Sequence, residues 1–556
     1  MDLERDLVGH WPLASDTLDH SSFQHPTLSR DVTLDFPGPA GKAGRAACFN
    51  GQGASLEVAD HPALQFGNQE LAVAAWVHSD EKNTDVVGTL VSKFDTVARK
   101  GIELAIVTNA AVTSAAQPNR RHLHFGMDAG RLDSGWQDCG RPGNAVLVGA
   151  LCAADGLLYA GTFEVGAKEK GHLWRYAGGE AWQDLGNPDD CNAIGSVVEF
   201  NGELYCATGR VDPAGHALGP AKNKTPGGKV YRIAADGTWH SCGHPGLEGA
   251  VPEDQPGLNP RLETGKADTF SALTVYRGEL YGTSVHQRRG VFKYAGGERW
   301  EELGPQVRVM SMALYRGRLY VLENGPHVFR YEGGKEWTDC GGPADTRQVY
   351  AAVIHQGQLY AGTWPEGAVH RYAGGQEWQP VGHRGWVGYE REVMAMASYN
   401  GKAYMGSLPM ANVYRMEERD FTLVGNLDPS PVSLRRVWSM AVYNGKLFAG
   451  TLPSGRVWSL EAGRMATWDC TFPGGWHHVA AVKDPRRLQL YVDGRPVACS
   501  APYHPAHYDL SNHEPLRIGF GAFEYFKGGL SDLRIYGRAL GAEEIASLAA
   551  LPGRNP

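Results

Sequence analysis

Seven near-copies of one phrase constrain this chain more than any other feature in it. "QGQLYAGTWPEG" at Gln356–Gly367 returns as "NGKLFAGTLPSG" at Asn444–Gly455. The shared part, G-x-L-Y-A-G-T, falls at Gly156–Thr162, Gly202–Thr208, Gly278–Ser284, Gly317–Glu323, Gly357–Thr363, Gly401–Ser407 and Gly445–Thr451. Each copy follows an apolar run and a tight turn. Each leads through a variable loop to "V-x-R-Y" and then "A-G-G-x-x-W". A fixed period of this kind predicts one supersecondary unit stacked repeatedly on itself. None of the copies carries a nucleophile or a cluster of metal ligands.

Each unit closes on an aromatic residue: Trp136, Trp182, Trp239, Trp300, Trp337, Trp378 and Phe421. Trp136 precedes the first complete unit, whereas the last unit, ending "GRVWSLEAG", lacks a closing partner. A ring resolves both observations, with the strand around Trp136 completing the final unit. Four short strands in each of seven units predict a seven-bladed β-propeller. Closure hides the sheet edges that an open array would expose. The composition agrees: 72 of 556 residues are Gly and only 21% are charged, the profile of a turn-rich all-β protein. Over about Arg131 to Gly463 the sequence resembles the Kelch-like and related propellers.

The flanks read as two halves of one further domain. Upstream stand "LVGHWPL", "GKAGRAACFNGQGASLEV" and "LAVAAWVHSD". Downstream stand "GGWHHVAAVKDPRRLQLYVDGRPVA" and "FKGGLSDLRIYGRALGAEEIASL". Together they resemble the laminin-G-like, concanavalin A-type jelly roll, with Trp11, Phe49–Gly51, Trp76, Trp476–His478, Tyr491–Gly494 and Asp532–Tyr536 at the family's landmarks. The expected organisation is therefore a jelly roll over residues 1–130 and 464–556 with the propeller, residues 131–463, inserted into it. The resemblance makes His477 and His478 part of a core strand rather than a metal site. It also makes Asp493-Gly494 a hairpin turn rather than a catalytic carboxylate.

The formal net charge of −8 gives no basic footprint for nucleic acid. No apolar run is long enough to span a bilayer. The opening "MDLERDLVGHWPLASD" shows no export signal. Three of the nine cysteines, Cys139, Cys242 and Cys340, recur in one phrase ("WQDCG", "WHSCG", "WTDCG") and sit in different units, so they read as buried thiols. Both features favour a reducing, cytoplasmic setting; the alternative is an extracellular or periplasmic protein whose signal has been removed.

Loop lengths divide the ring into two faces. "YRGRL", "HQGQL" and "YAGGERW" are minimal turns and share one face, where the jelly roll should join. The other face carries long loops, such as residues 209–228, 244–269 and 382–392, and such loops on a rigid scaffold commonly carry binding and catalysis. The residues entering the inner strands read "QVRVMSM", "TRQVYAA", "EREVMAM" and "LRRVWSM". They predict a polar belt of Arg308, Arg347, Arg391 and Arg435, joined by Arg436, Glu392 and Asp268. Arginine forks suit carboxylate, sulfate or phosphate. The alternative is a structural belt paired with Glu392, Glu390 and Asp345. Tyr350, Trp364, Trp386, Tyr389 and Trp438 add aromatic faces suited to sugar rings. Tyr350 and Trp438 have an alternative role in packing between blades, because Met310 and Met394 hold the equivalent positions. For proton transfer, His286 is the first candidate, with His383 and Tyr389 behind it. His370 replaces an aromatic of "VYR" and reads as packing.

These features suggest an acidic, uronate-containing oligosaccharide or polysaccharide as ligand, cleaved by β-elimination as in polysaccharide lyases. The alternatives are a non-catalytic glycan-binding protein and a protein-interaction scaffold. No cofactor is implied, although a divalent cation such as calcium is compatible. A sialidase is disfavoured, since the repeated Asp-box has one loose echo at Ala234–Trp239. A retaining glycosidase would need paired carboxylates that the mouth does not offer.

Overall fold

A computed structural model describes residues 2–39, 45–80, 82, 85–113, 117–130, 133–211, 221–246, 269–284, 290–382 and 385–550. The architecture is all-β, with a seven-bladed β-propeller inserted into a concanavalin A-like sandwich. One sheet of the sandwich runs in the order Thr33–Pro37, Arg45–Asn50, Lys527–Tyr536, Leu71–Ser79, Gly475–Lys483, Leu488–Val492, Arg495–Cys499, with Leu7–Trp11 also along Lys527–Tyr536. The second runs Thr27–Arg30, Ser55–Val58, Leu516–Ile518, Gly88–Asp95, Lys100–Asn109, Asn119–Ala129, Arg464–Trp468. Strands from before and after the ring pair with each other in both sheets, so each sheet needs both flanks. Trp11, Phe49, Val73, Leu104, Phe125, Leu490 and Ile535 fill the space between the sheets.

Strand alternation decides what faces the ring. Along Asn119–Ala129, Leu123, Phe125 and Met127 enter the sandwich core, so His122 and His124 lie on the opposite face of the sheet. The neighbours His477 and His478 likewise point to opposite faces. His477 Nδ1 lies 2.7 Å from Asp493 Oδ2, while His478 is buried with its ring 5.5 Å from that of Trp76. Asp493-Gly494 is a hairpin turn with φ of 50° and 76°.

The seven inner strands are Leu147–Ala154, Ala193–Phe200, Phe270–Tyr276, Val309–Tyr315, Gln348–His355, Glu392–Tyr399 and Arg436–Tyr443, here blades 1 to 7. Gln137–Asp138 supplies the outermost strand of blade 7 by pairing with Val457–Leu460, in the register Gln137↔Ser459. The closing tryptophans tie each blade to the one before it. Trp182 donates its indole N–H to Cys139 O at 2.8 Å, Trp300 to Cys242 O at 2.7 Å and Trp378 to Cys340 O at 3.0 Å. Trp136, beside the strand that completes blade 7, donates to Val424 O of blade 6 at 3.1 Å, and Phe421 of blade 6 has no N–H to give. The recurring cysteines are buried and unbridged; their carbonyls receive these bonds.

The sandwich docks on the minimal-turn face. Gly357 N donates to Phe523 O at 2.8 Å. A side chain at Gly357, which sits at φ +65°, would meet the Tyr525 ring at 2.7 Å. Residues flanking the hairpin between Lys100–Asn109 and Asn119–Ala129 cap the inner strands. Asn109 Oδ1 accepts from Ser398 N (2.9 Å) and its Nδ2 donates to Ser398 O (3.1 Å). Asn119 does the same to Val442 (3.0 and 2.6 Å), and Gln117 to Val275 (2.9 and 3.1 Å). Ala352 N and Ala153 N donate to Ala111 O and Pro118 O. Each amide satisfies a backbone N–H and C=O that the ring leaves unpaired in a buried place.

Asn119→Leu keeps the volume and strands both Val442 groups, at about 1–3 kcal/mol for each orphan. The melting temperature, followed by calorimetry, is expected to fall by several degrees; an unchanged value contradicts the capping role.

Candidate functional site

The free face of the ring is shaped by a repeated irregularity. All seven inner strands slip register by one or more residues near their entry. In blades 4 to 7 the extra residue is Met310, Tyr350, Met394 and Trp438. A bulge re-aims the side chain it carries.

Just before each bulge, Arg308, Gln348, Glu392 and Arg436 occupy one equivalent position in four consecutive blades. Arg347, Arg391 and Arg435 stand one residue earlier, so alternation turns them the other way. Arg347 and Arg391 are exposed, whereas Arg308 and Glu392 are only 8% and 3% exposed. The expected belt of Arg308, Arg347, Arg391 and Arg435 is therefore two sets. Arg308 and Arg436 belong to the inner set with Glu392; Arg347, Arg391 and Arg435 form an outer rim.

Glu392 is the chemically unusual member. Burial pushes its carboxyl up to about 7, against the opposing pull of Arg436, a hydrogen bond with Tyr350, and Arg391. Its Oε1 has no hydrogen-bond partner among the described residues. Burial also raises the Tyr350 phenol, reinforced by Glu392 and offset by Arg436 and Arg308. Four blades thus bring a carboxyl, a phenol and two guanidinium groups together. Arg308 Nη2 also donates to Asn324 O at 3.2 Å, and Gln348 Nε2 to Asn324 Oδ1 at 2.5 Å.

The rim arginines are not a salt-bridged belt. Arg347, Arg391 and Arg435 form no ion pair among the described residues. Arg435 Nη1 donates to Asp428 O at 2.8 Å, which ties it to its loop. Glu390 accepts from Asn412 and Tyr414 instead of from an arginine. The Arg347 guanidinium lies 6.0 Å from the Trp364 ring, and Arg436 lies 5.7 Å from Trp438. Trp438 is half-buried and packs on the cluster of Leu147, Phe163 and Leu452.

Tyr389 is fully exposed at 103%, in contrast to Glu392 at 3%. His286, His383 and Asp268 lie outside the described residues. Beside the mouth, Asp345, Glu366, His370, Trp378 and Trp386 line a cleft of ≈ 580 Å³. His370 is buried, which holds its imidazole down to about 4, in keeping with a packing role. Trp386 is 44% exposed, leaving indole surface open to a ligand. The sequence pointed to Glu392 and Tyr350 as ligand-binding residues; their pairing across two blades emerges only from the ring.

Residues 454–546 match the family model described as the concanavalin A-like lectin/glucanases superfamily. The sandwich is concanavalin A-like. That fold is compatible with binding carbohydrate. No curated protein matches the chain. Among solved structures, a streptogramin B lyase aligns at 10% identity over 59% of this chain and 98% of its own, with a TM-score of 0.43. A catalytically inactive variant of virginiamycin B lyase from Staphylococcus aureus with quinupristin aligns at 11% identity over 59% and 98%, TM-score 0.43. The WD40 β-propeller domain of Doa1 aligns at 11% identity over 59% and 97%, TM-score 0.38. Likenesses this distant carry no argument about activity, and they do not single out a Kelch-like ring. Among the described residues no helix is long and apolar enough to cross a membrane.

Tyr350→Phe removes the phenol that pulls the Glu392 carboxyl down against its burial. The Glu392 pKa, followed by carbon-13 carboxyl titration, is expected to rise above about 7; a fall would show that the phenol does not stabilise the carboxylate.

Proposed function

We propose that the free face of the propeller binds a uronate-containing glycan and cleaves it by β-elimination. The observation that carries this reading is Glu392: a carboxyl only 3% exposed, pushed up to about 7 by burial, with Tyr350, Arg436 and Arg391 acting on it. A base poised near the working pH is what abstraction of a carbon-bound proton requires.

In this reading Arg308 or Arg436 pairs with the uronate carboxylate and offsets the charge that develops on it. Glu392, ionised, takes the proton from the carbon α to that carboxylate. The freed electron pair forms the C4–C5 double bond as the C4–O bond breaks. Tyr350 donates its proton to the departing oxygen and regains one from Glu392. Atoms and charges balance without an external oxidant or reductant. The Trp386 cleft is suited to a neighbouring sugar ring.

The test is ultraviolet absorbance during incubation with a panel of uronate polysaccharides. The unsaturated-uronate band is expected to grow, with a rate that rises with pH through about 7 as Glu392 loses its proton. Glu392→Gln should lower that rate by about 10²-fold or more. Absence of the band with binding still measurable by calorimetry, and weakened in Arg436→Gln, would reduce the function to glycan binding. Neither cleavage nor binding would overturn the proposal.

A further inference from the structure

A second cluster of functional groups lies at the opposite end of the ring. Asn119–Ala129 is the last sandwich strand before the propeller, and Arg464–Trp468 is the first after it. They pair antiparallel, with His124 opposite Thr467 and Leu123 opposite Trp468. That register brings Asp469 level with His122. His122 and His124, two apart on one strand, share the sheet face that looks toward the ring. His122 is fully buried, His124 is 5% exposed and Asp469 is 7% exposed.

The three side chains converge, with one candidate ligand atom from each lying within 4.8 Å of the others. His122 Nδ1 stands 3.9 Å from Asp469 Oδ1. His122 Nε2, His124 Nε2 and Asp469 Oδ1 have no hydrogen-bond partner among the described residues. Buried polar atoms are normally paired; His122 Nδ1, which faces Asp469, lies 3.4 Å from Asn119 Nδ2, and each of the three side chains still keeps one unpaired atom among the described residues. Asp469 is held in place from the far side, because its Oδ2 accepts from Asn444 N at 2.8 Å. Its backbone carbonyl accepts from Gly156 N at 2.9 Å. The carboxylate is thus fixed between the turns of blades 7 and 1, where the ring is sealed.

We propose that His122, His124 and Asp469 hold one divalent transition-metal ion at the junction of sandwich and propeller. Two imidazoles and one carboxylate suit Zn²⁺ and its first-row neighbours, whereas calcium takes oxygen ligands. Tetrahedral zinc needs donor atoms about 3.3 Å apart, so the three side chains would close by roughly 1 Å around the ion. Burial disfavours charge on all three groups, lowering both imidazoles and raising the Asp469 carboxyl to about 7, and a bound cation would offset that cost for the carboxylate. The ligands come from the strands that lead into and out of the ring, so the ion would staple the point of insertion.

The full-length protein, stripped with chelator and dialysed, is titrated with Zn²⁺ and separately with Co²⁺. One equivalent of Zn²⁺ should bind, raising the melting temperature, and Co²⁺ should give visible d–d absorption. His124→Gln and Asp469→Asn should each weaken binding by about 10²-fold. His477→Ala, in the other histidine pair, should leave it unchanged. Wild-type protein that takes up no stoichiometric Zn²⁺ and shows no Co²⁺ band overturns the proposal without reliance on any variant. Binding that survives in both ligand variants, or vanishes in His477→Ala, overturns it too.

Discussion

The pairing of Asn119–Ala129 with Arg464–Trp468 is the constraint on which the rest of the structure depends. It joins the last strand before the ring to the first strand after it. Over three hundred residues must leave and return at one edge of a sheet, and a closed ring does this without exposing strand edges. The short strand Gln137–Asp138 then completes blade 7 from the incoming side. Insertion and closure are one event in this chain. The tryptophan indoles that bridge successive blades keep the ring rigid, and the amides of Asn109, Gln117 and Asn119 finish the inner strands where it meets the sandwich.

This arrangement assigns a role to each face. The minimal-turn face is consumed by docking. Its turns are pressed so closely that Gly357 has no room for a side chain. The opposite face, where we propose that a ligand binds, is not covered by the sandwich, and there the inner strands present Arg308, Glu392 and Arg436. Burying Glu392 beside Tyr350 destabilises its charged form. Around it the chain is conventional: the blades pack valine, alanine and methionine between sheets, as in Val393, Ala351 and Met396.

Much of the architecture was legible in the sequence because it repeats. The "LYAGT" copies fixed the blade count, and Trp136, stranded ahead of the first unit, revealed the closure. The faces followed from turn lengths alone. The site was less legible. Arg308, Arg347, Arg391 and Arg435 look like one series when the phrases are aligned by eye. A single residue of offset in Arg308 puts it on the inner surface and the other three on the rim. That distinction belongs to strand register and to the bulge, neither of which is written in residue type. The capping loop carries no motif, since Asn109 and Asn119 act through partners up to 323 residues distant. His122 and His124 hide inside an ordinary alternating strand, "HLHFGM", whereas the adjacent His477 and His478 attract notice and point apart.

The central claim is that chemistry sits on the free face, at the inner ring of blades 4 to 7. A crystal structure of the protein bearing Glu392→Gln, soaked with a uronate tetrasaccharide, tests it most directly. The account predicts density in the mouth, with a uronate carboxylate against Arg308 or Arg436 and the adjoining ring carbon facing residue 392. An oligosaccharide seated only on the sandwich, or a mouth in which Arg308 and Arg436 remain locked away from the sugar, would contradict it.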